Sequence, residues 1–245
     1  MIIDSHAHVG SCRVFGQRIS EQDLLGAMDR YGIEASIVQP FPGDPDARKC
    51  HDDIAQLAAK YPGRIFGLMH MNPYLDGFEA EARRCIEELG FVGIKLHPCG
   101  HGVNPLQPVG ERVFEIAAEL GVPIMVHTGT GVPFALPSLC LPAAKKHPDL
   151  TIILAHAGYA IYTDEALVVA SMADNIYLET SWGQIRAVED FVKKVGSDRV
   201  LFGSDLVKNI PVELAKYQGA AISLEERAAG LGGNACRLFK LPLGE

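Results

Sequence analysis

At 245 residues, 48% of them hydrophobic and 21% charged, the chain has a globular composition and a length that suits one large domain. Its formal net charge of −8 and the absence of a clustered basic stretch argue against a nucleic-acid partner. No run approaches the roughly 18 consecutive apolar residues of a membrane span.

Apolar strands alternate with amphipathic helices along the chain. Ser20 can cap a first helix that runs to about Tyr31, and Gly32 ends it. Further helical patterns include 47–61, 78–89 and 185–195. After a strand at the start of the chain, strands are predicted over 35–38, 64–69, 91–96, 122–126, 150–155, 175–178 and 199–202. Nearly pure apolar runs of this kind are typical of strands buried on both faces of a parallel sheet.

About eight strand and helix units in this length predict a single-domain (β/α)8 TIM barrel over residues 1–245. The alternative, an open doubly wound sheet, would normally have a glycine-rich phosphate-binding turn after an early strand, and the sequence has none. Catalytic residues of such barrels lie at the carboxyl ends of the strands. The segment from His97 to Pro108, with two glycines and three prolines, is a candidate lid.

Ionisable residues collect at the predicted strand ends. His6 and His8 share one face of the first strand, since side chains alternate along a strand, although two ordinary histidines near a chain end would look the same. Later strand ends contribute Lys95, His97, His127, His156 and Asp205. Hydrogen-bonded core histidines are the alternative for His127 and His156. Three histidines and a carboxylate suit a divalent metal ion, Zn²⁺ first, with Mn²⁺, Co²⁺ or Fe²⁺ as alternatives.

Several short segments, taken in order, resemble the motifs of the amidohydrolase superfamily. They are DSHAH at 4–8, GIKLHP at 93–98, VHTG at 126–129, AHAG at 155–158 and GSD at 203–205. The closing GGNA at 232–235 is similar to the amidohydrolase-related branch, which includes aminocarboxymuconate semialdehyde decarboxylase. The resemblance spans the chain from Asp4 to Phe239.

The resemblance implies that His6, His8, His127 and Asp205 bind one divalent metal ion. It implies two catalytic residues: Asp205, which takes a proton from a metal-bound water, and His156, which orients that water or stabilises the oxyanion. Asp4 shares a face with His6 but lies one layer deeper. We expect Asp4 to accept a hydrogen bond from a ligand histidine, which would fix the tautomer of the ring.

Lys95 has two roles in relatives of this kind. We favour an ammonium that binds a substrate carboxylate over a carbamylated lysine that bridges a second metal, because the branch is usually mononuclear. A structural ion pair with a carboxylate is the plain alternative. His97 follows on the same strand face, where it contacts substrate or only lines the loop.

We therefore expect an enzyme, a metal-dependent hydrolase that cleaves a C–N, ester or lactone bond of a small, carboxylate-bearing substrate. The first alternative is a non-oxidative decarboxylase of the same branch. Such relatives are often longer, and aromatic residues near the predicted strand ends, such as Tyr159 and Trp182, are few. The second alternative is a barrel that binds metal or ligand without catalysis.

The same features predict the setting in which the protein works. The partner is a small-molecule substrate, with no nucleic acid and no membrane, and a homodimer is an open alternative. The six cysteines are scattered without a CxxC pair, and no basic stretch leads into an apolar run at the start of the chain. Both features predict a reduced, cytoplasmic protein.

Overall fold

The computed structural model describes residues 1–13, 16–130 and 133–243. Eight parallel strands lie side by side in chain order: β1 (Ile3–His8), β4 (Ala35–Gln39), β5 (Ile65–His70), β6 (Gly93–Leu96), β7 (Ile124–His127), β8 (Ile152–Ala155), β9 (Ile176–Glu179) and β10 (Val200–Leu201). A short antiparallel hairpin, β2 (Gly10–Cys12) and β3 (Gln17–Ile19), follows the first strand. The sequence pattern did not predict this hairpin.

Helices connect the barrel strands. They are α1 (Glu21–Tyr31), α2 (Ala47–Lys60), α3 (Phe78–Glu87), α4 (Pro98–His101), α5 (Pro108–Leu120), α6 (Leu141–Lys146), α7 (Thr163–Met172), α8 (Ile185–Val195), α9 (Ile210–Gly219), α10 (Leu224–Ala228) and α11 (Asn234–Leu238). Ser20 caps α1 as predicted, and Gly32 ends it in the left-handed conformation with φ 68°. Within the described ranges, no helix has both the length and the apolar character needed to cross a membrane.

The sheet closes where its first and last strands meet. Ser5 N donates a hydrogen bond to Phe202 O at 3.2 Å, and Asp205 N donates to His6 O at 2.7 Å. Ala7 and Asp205 form a parallel bridge. These contacts confirm the predicted (β/α)8 barrel and bring Asp205 beside the histidines of β1.

The apolar side chains form two clusters. The larger cluster packs the outer face of the barrel strands against the helices. The smaller one joins residues near the starts of several strands, such as Ile3 and Ile153, to Leu238 and Phe239 at the end of α11. Burial of this apolar surface is the main driving force for folding. Because the C-terminal helix packs at the amino ends of these strands, the space for a ligand lies at their carboxyl ends.

The segment from His97 to Pro108, predicted as a loop and candidate lid, contains the helix α4. The His97 ring caps this helix by accepting from Gly100 N at 3.0 Å. At its other end, the His101 ring is 3.1 Å from the Pro42 carbonyl oxygen through Nε2. The segment is therefore joined to the loop after β4 at the C-terminal end of α4, through His101 and Pro42.

Candidate active site

A cavity of about 350 Å³ lies at the carboxyl ends of the barrel strands. Its lining includes every predicted site residue except Asp4, together with several residues that were not predicted. Among the described residues, the lining is His6, His8, Gln17, Phe41, Pro42, Lys95, His97, Cys99, His127, Thr130, His156, Tyr159, Trp182, Asp205 and Leu206. The strand-end pattern thus brings together residues that are as much as 199 positions apart in the sequence.

His6, His8 and Asp205 form the compact part of the predicted metal site. The Asp205 Oδ1 atom is 3.3 Å from His6 Nε2 and 3.2 Å from His8 Nε2. The three donor atoms lie within 4.8 Å of one another. All three side chains are mostly buried, with 17% of the Asp205 side chain exposed, so that this carboxylate borders the cavity.

The hydrogen bonds of the two β1 histidines fix the protons of their rings. His8 Nδ1 is 3.0 Å from the Pro40 carbonyl oxygen, which can only accept, so the proton of the neutral ring lies on Nδ1. His6 Nδ1 is 2.8 Å from Glu179 Oε2, another acceptor. With the proton on Nδ1, the Nε2 lone pair of each ring is directed toward Asp205 Oδ1. Two nitrogen lone pairs and a carboxylate oxygen that converge in this way fit a bound metal ion.

His127 and His156 lie on the adjacent wall of the cavity, and each also has one ring nitrogen that holds a proton and one that carries a lone pair. His127 Nε2 is 3.0 Å from Thr130 O, so its Nδ1 carries the lone pair. Ser181 Oγ donates to Glu179, which leaves the Ser181 oxygen to accept from His156 Nδ1 at 2.8 Å. The two remaining nitrogens, His127 Nδ1 and His156 Nε2, are 3.1 Å apart. Two further lone pairs thus meet beside His6, whose ring centroid is 5.0 Å from that of His156.

Burial favours the neutral form of the His8, His127 and His156 rings, which is the form that binds a metal. Burial and the Lys95 charge lower the pKa of His127 to about 4. Burial likewise lowers the pKa of His8 and brings that of His156 well below its ordinary value. His127 is nevertheless not in the compact group formed by His6, His8 and Asp205. Its role as a fourth ligand stays a prediction.

Glu179, the last residue of β9, was not among the predicted site residues. Its Oε2 atom accepts from the His6 ring at 2.8 Å, from His156 N at 3.1 Å and from Ser181 Oγ at 2.9 Å. The predicted strand ended one residue earlier, at Leu178, so reading the strand ends missed it. Glu179 fixes the tautomer and the orientation of His6.

Replacing Glu179 with glutamine should weaken metal binding by about 10- to 100-fold, the usual cost of losing a partner behind a ligand histidine. The variant keeps the shape of the side chain but removes the charge that holds the His6 Nδ1 proton. Titration calorimetry with Mn²⁺ or Zn²⁺ would measure the change. Glu87→Gln, at the exposed end of α3, is the matched control and should bind metal like the unmodified protein.

Asp4 does not make the predicted contact with a histidine ring. Its carboxylate accepts from His6 N at 3.1 Å, from Ser204 N at 2.9 Å and from Ser204 Oγ at 2.5 Å. Asp4 therefore joins the backbone of β1 to the segment that carries Asp205, and Glu179 accepts from the His6 ring instead. The prediction failed because the Asp4 carboxylate is directed at Ser204, where the first and last strands of the barrel meet, rather than at the cavity.

Lys95 is buried, and its Nζ atom is 3.0 Å from His6 Nε2. Among the described residues, no carboxylate oxygen lies within 4.0 Å of Nζ, so the alternative of a structural ion pair is not observed. Burial lowers the pKa of Lys95 to about 8, and the more distant Asp205 and Glu179 charges oppose the shift. Lys95 thus presents a largely protonated amine to the cavity at pH 7.

Aromatic rings form the remaining walls. Phe41 stacks on His8 with ring centroids 4.5 Å apart, and Tyr159 stacks on Trp182 at 6.1 Å. His97 stacks on His127 at 4.0 Å. Such surfaces favour a flat ring as ligand. Phe41 was missed because it lies two residues beyond the end of β4 in a segment without a motif.

A family model described as Amidohydrolase matches residues 3–241. The gamma-resorcylate decarboxylase of Polaromonas sp. (strain JS666 / ATCC BAA-500) is 26% identical over 87% of this chain and 85% of its own length. The corresponding enzyme of Rhodococcus jostii (strain RHA1) is 28% identical over 90% of this chain and 88% of its own length. These relatives support an enzyme rather than a barrel that only binds a ligand.

A solved structure has the same fold. It is a dihydroxybenzoic acid decarboxylase from Polaromonas sp. JS666 with bound manganese and the inhibitor 2-nitroresorcinol. The TM-score is 0.78 and the identity 21%, with 99% of this chain and 98% of that chain covered. The donor set of the cavity itself suits a single divalent metal ion.

The expectation of a hydrolase is wrong, because both of the relatives described above are decarboxylases. The short chain had favoured hydrolysis. The alignment with the Polaromonas enzyme has 280 positions and includes 87% of the 245 residues of this chain, which is about 213 residues. About 67 aligned positions therefore contain no residue of this chain. The chain is shorter than that decarboxylase and still matches it across most of the barrel. Its shorter length is therefore no argument against a relationship to the decarboxylases.

Proposed function

The chain belongs to the amidohydrolase family, and from this premise we propose that it is a metal-dependent, non-oxidative decarboxylase of a small aromatic carboxylate. The observation that carries the proposal is the buried Lys95 amine, which has no described carboxylate at salt-bridge distance and lies beside the His6, His8 and Asp205 donor atoms. A carboxylate of the substrate would supply the missing negative charge. The gamma-resorcylate decarboxylases among the relatives support the reaction type.

The cavity suits a single aromatic ring with one carboxylate. Among the described residues of its lining, Lys95 is the one side chain with an ammonium or guanidinium group. A second carboxylate would find no further ammonium or guanidinium group among these described residues. The volume of about 350 Å³ and the aromatic walls fit a hydroxybenzoate such as 2,6-dihydroxybenzoate. We therefore propose hydroxybenzoates as the substrate class.

His6, His8, His127 and Asp205 would hold the metal ion. When bound, the ion supplies a positive charge that orients oxygen atoms of the substrate and stabilises negative charge on them. Manganese and zinc are both candidates, since nitrogen and carboxylate donors suit either ion. The second metal bridged by a carbamylated Lys95 is not needed, because the amine acts as the carboxylate partner.

Decarboxylation replaces a carbon–carbon bond with a carbon–hydrogen bond. A proton is added to the ring carbon that bears the carboxylate, that carbon–carbon bond then breaks, and CO₂ leaves while its bonding electrons restore the aromatic ring. Asp205 borders the cavity and is the group placed to pass a proton to the ring carbon, after it has taken that proton from solvent. His156, whose Nδ1 proton faces Ser181, would help to orient the proton donor through its Nε2 lone pair. The aromatic walls exclude water from the ring, and Lys95 holds the carboxylate until it leaves.

Replacing Lys95 with methionine should raise KM for a hydroxybenzoate by at least about tenfold, because a charge-assisted hydrogen bond to the substrate is lost. Methionine preserves most of the volume of the side chain and its packing. Steady-state kinetics with saturating Mn²⁺ would measure the effect. Lys208→Met, at an exposed position near the same end of the barrel, should leave KM unchanged.

A substrate panel tests the proposed reaction. Metal-loaded protein is incubated with mono- and dihydroxybenzoates, and with esters, lactones and amides of similar size. We expect release of CO₂ and the corresponding phenol from at least one hydroxybenzoate. Turnover of the esters, lactones or amides without any release of CO₂ would refute the proposal.

A further inference from the structure

Trp182 lies in the loop after β9 and is the single tryptophan of the chain. Its indole Nε1 donates a hydrogen bond to Asp205 Oδ2 at 2.8 Å. We infer that Trp182 is a positioning residue that holds the Asp205 carboxylate in one orientation. The inference deepens the proposed function, on which it rests for its catalytic meaning, and none of the assignments above involves this contact.

The hydrogen bond from Trp182 gives the two carboxylate oxygens of Asp205 different partners. Oδ1 faces the Nε2 atoms of His6 and His8 at 3.3 and 3.2 Å, whereas Oδ2 accepts from the indole. A carboxylate that is free to rotate could present either oxygen, or both, to a metal ion. With the indole bound, Oδ1 is presented to the ion and Oδ2 stays at the edge of the cavity, where substrate enters.

The backbone of Trp182 is itself held in place from outside the cavity. Its N–H donates to Glu213 Oε1 at 2.8 Å, and Lys216 Nζ donates to the carbonyl oxygens of Thr180 at 2.7 Å and Gly183 at 3.0 Å. Glu213 and Lys216 form a buried ion pair on α9. These bonds fix both sides of the short loop that carries the indole.

Glu213 of this ion pair is also connected, through Asn209, to the loop that carries Asp205. Asn209 Nδ2 donates to Glu213 Oε1 at 2.9 Å and to Ser204 O at 3.2 Å. Trp182 and Asp205 both have left-handed backbones, with φ 62° and 63°, a conformation that is uncommon for residues other than glycine and clusters at functional sites. Glu213 therefore connects the loop that carries Trp182 with the loop that carries Asp205. The indole hydrogen bond connects the side chains of these two residues directly.

The first test is Trp182→Phe, which keeps an aromatic ring but removes the only hydrogen-bond donor of the side chain. In the metal-loaded enzyme we expect kcat to fall about 10- to 100-fold, the range seen when a partner of a metal ligand is lost. KM should change by less than about threefold, because Lys95 still binds the carboxylate. Chelator competition should show metal affinity reduced by about tenfold.

Ile185→Ala is the matched control. It removes an exposed apolar side chain three residues from Trp182, and Ile185 does not line the cavity. We expect this variant to keep kcat, KM and metal affinity within twofold of the unmodified enzyme. Equal losses in both variants would mean that the region is only structurally sensitive, and the inference would then be wrong.

The second test uses the fluorescence of the single tryptophan, which depends on no substrate. Titration of the metal-free protein with Mn²⁺ should change the emission, with a midpoint equal to the dissociation constant from chelator competition. In Glu213→Gln, which removes the charge of the buried pair, the metal-dependent change should be smaller, and kcat should fall with KM nearly constant.

The outcomes separate the two proposals. If no hydroxybenzoate is decarboxylated but the emission responds to bound metal and Trp182→Phe weakens metal binding, the positioning role stands and the proposed reaction fails. If Mn²⁺ binds without any change in emission, or if Trp182→Phe keeps its metal affinity and kcat within twofold, Trp182 does not position Asp205.

Discussion

Replacing His8 with alanine should remove metal binding and activity together while the barrel stays folded. The His8 Nε2 lone pair faces Asp205 Oδ1 at 3.2 Å, and its proton is held on Nδ1 by the Pro40 carbonyl oxygen. The variant therefore removes one donor of the compact group. We expect affinity for Mn²⁺ or Zn²⁺ to fall by more than the roughly 100-fold that marks the loss of an outer partner. His6→Ala should behave in the same way.

Metal content after dialysis, measured by elemental analysis, and circular dichroism together check this prediction. The far-ultraviolet spectrum should be unchanged, because the strands are held by their ladder hydrogen bonds and by the two apolar clusters. His147→Ala, at the end of α6 and outside the cavity lining, is the matched histidine control and should retain its metal. Full metal occupancy in both His6→Ala and His8→Ala would show that the site has been wrongly assigned.

Asp205→Asn should lower kcat by about 10²- to 10⁴-fold, the range for the loss of a general acid or base. Asparagine keeps the size of the side chain and an oxygen that can accept from the Trp182 indole, so the orientation of the group is largely preserved. What is lost is the negative charge facing His6 and His8 and the ability to carry a proton.

The kinetics of Asp205→Asn are to be measured at a metal concentration that saturates the variant, so that weaker metal binding does not mimic lost chemistry. Asp190→Asn, on α8 and paired only with Arg186 and Lys194 among the described residues, should retain full activity. A metal-saturated Asp205→Asn enzyme with kcat within tenfold of the unmodified enzyme would remove Asp205 from the proton-transfer step.

The barrel and most of the cavity could be predicted because both follow from local patterns. Apolar runs mark the buried strands, and the carboxyl ends of parallel strands meet at one rim, so His6, His127 and Asp205 could be placed together without knowledge of long-range contacts. Ser20 and Gly32 marked the ends of α1 through capping chemistry that is itself local.

Three polar residues at strand ends were missed for a shared reason. The strands β4, β5 and β9 each extend one residue beyond the predicted end, to Gln39, His70 and Glu179. These polar residues follow apolar runs, and a pattern of hydrophobicity ends where the apolar run ends. In the structure Gln39 Nε2 is 3.2 Å from His8 Nε2, and Glu179 binds the His6 ring. Extending each predicted strand by one polar residue would have found both.

The reaction could not be predicted because it does not depend on the metal donors alone. The same histidines and aspartate can serve hydrolysis or decarboxylation. The difference lies in the molecule that the cavity holds, and that depends on walls from distant loops, such as Phe41 and Trp182. Those contacts exist only after the barrel has closed.

The most direct test of the decarboxylase assignment is the fate of the ring carbon in D₂O. Mn²⁺-loaded protein is incubated with 2,6-dihydroxybenzoate in D₂O, and the phenolic product is examined by proton NMR and mass spectrometry. We expect resorcinol with one deuterium at the carbon that carried the carboxylate, and no product from His8→Ala. Substrate recovered unchanged across the hydroxybenzoate panel, from protein that holds a full equivalent of metal, would contradict the assignment.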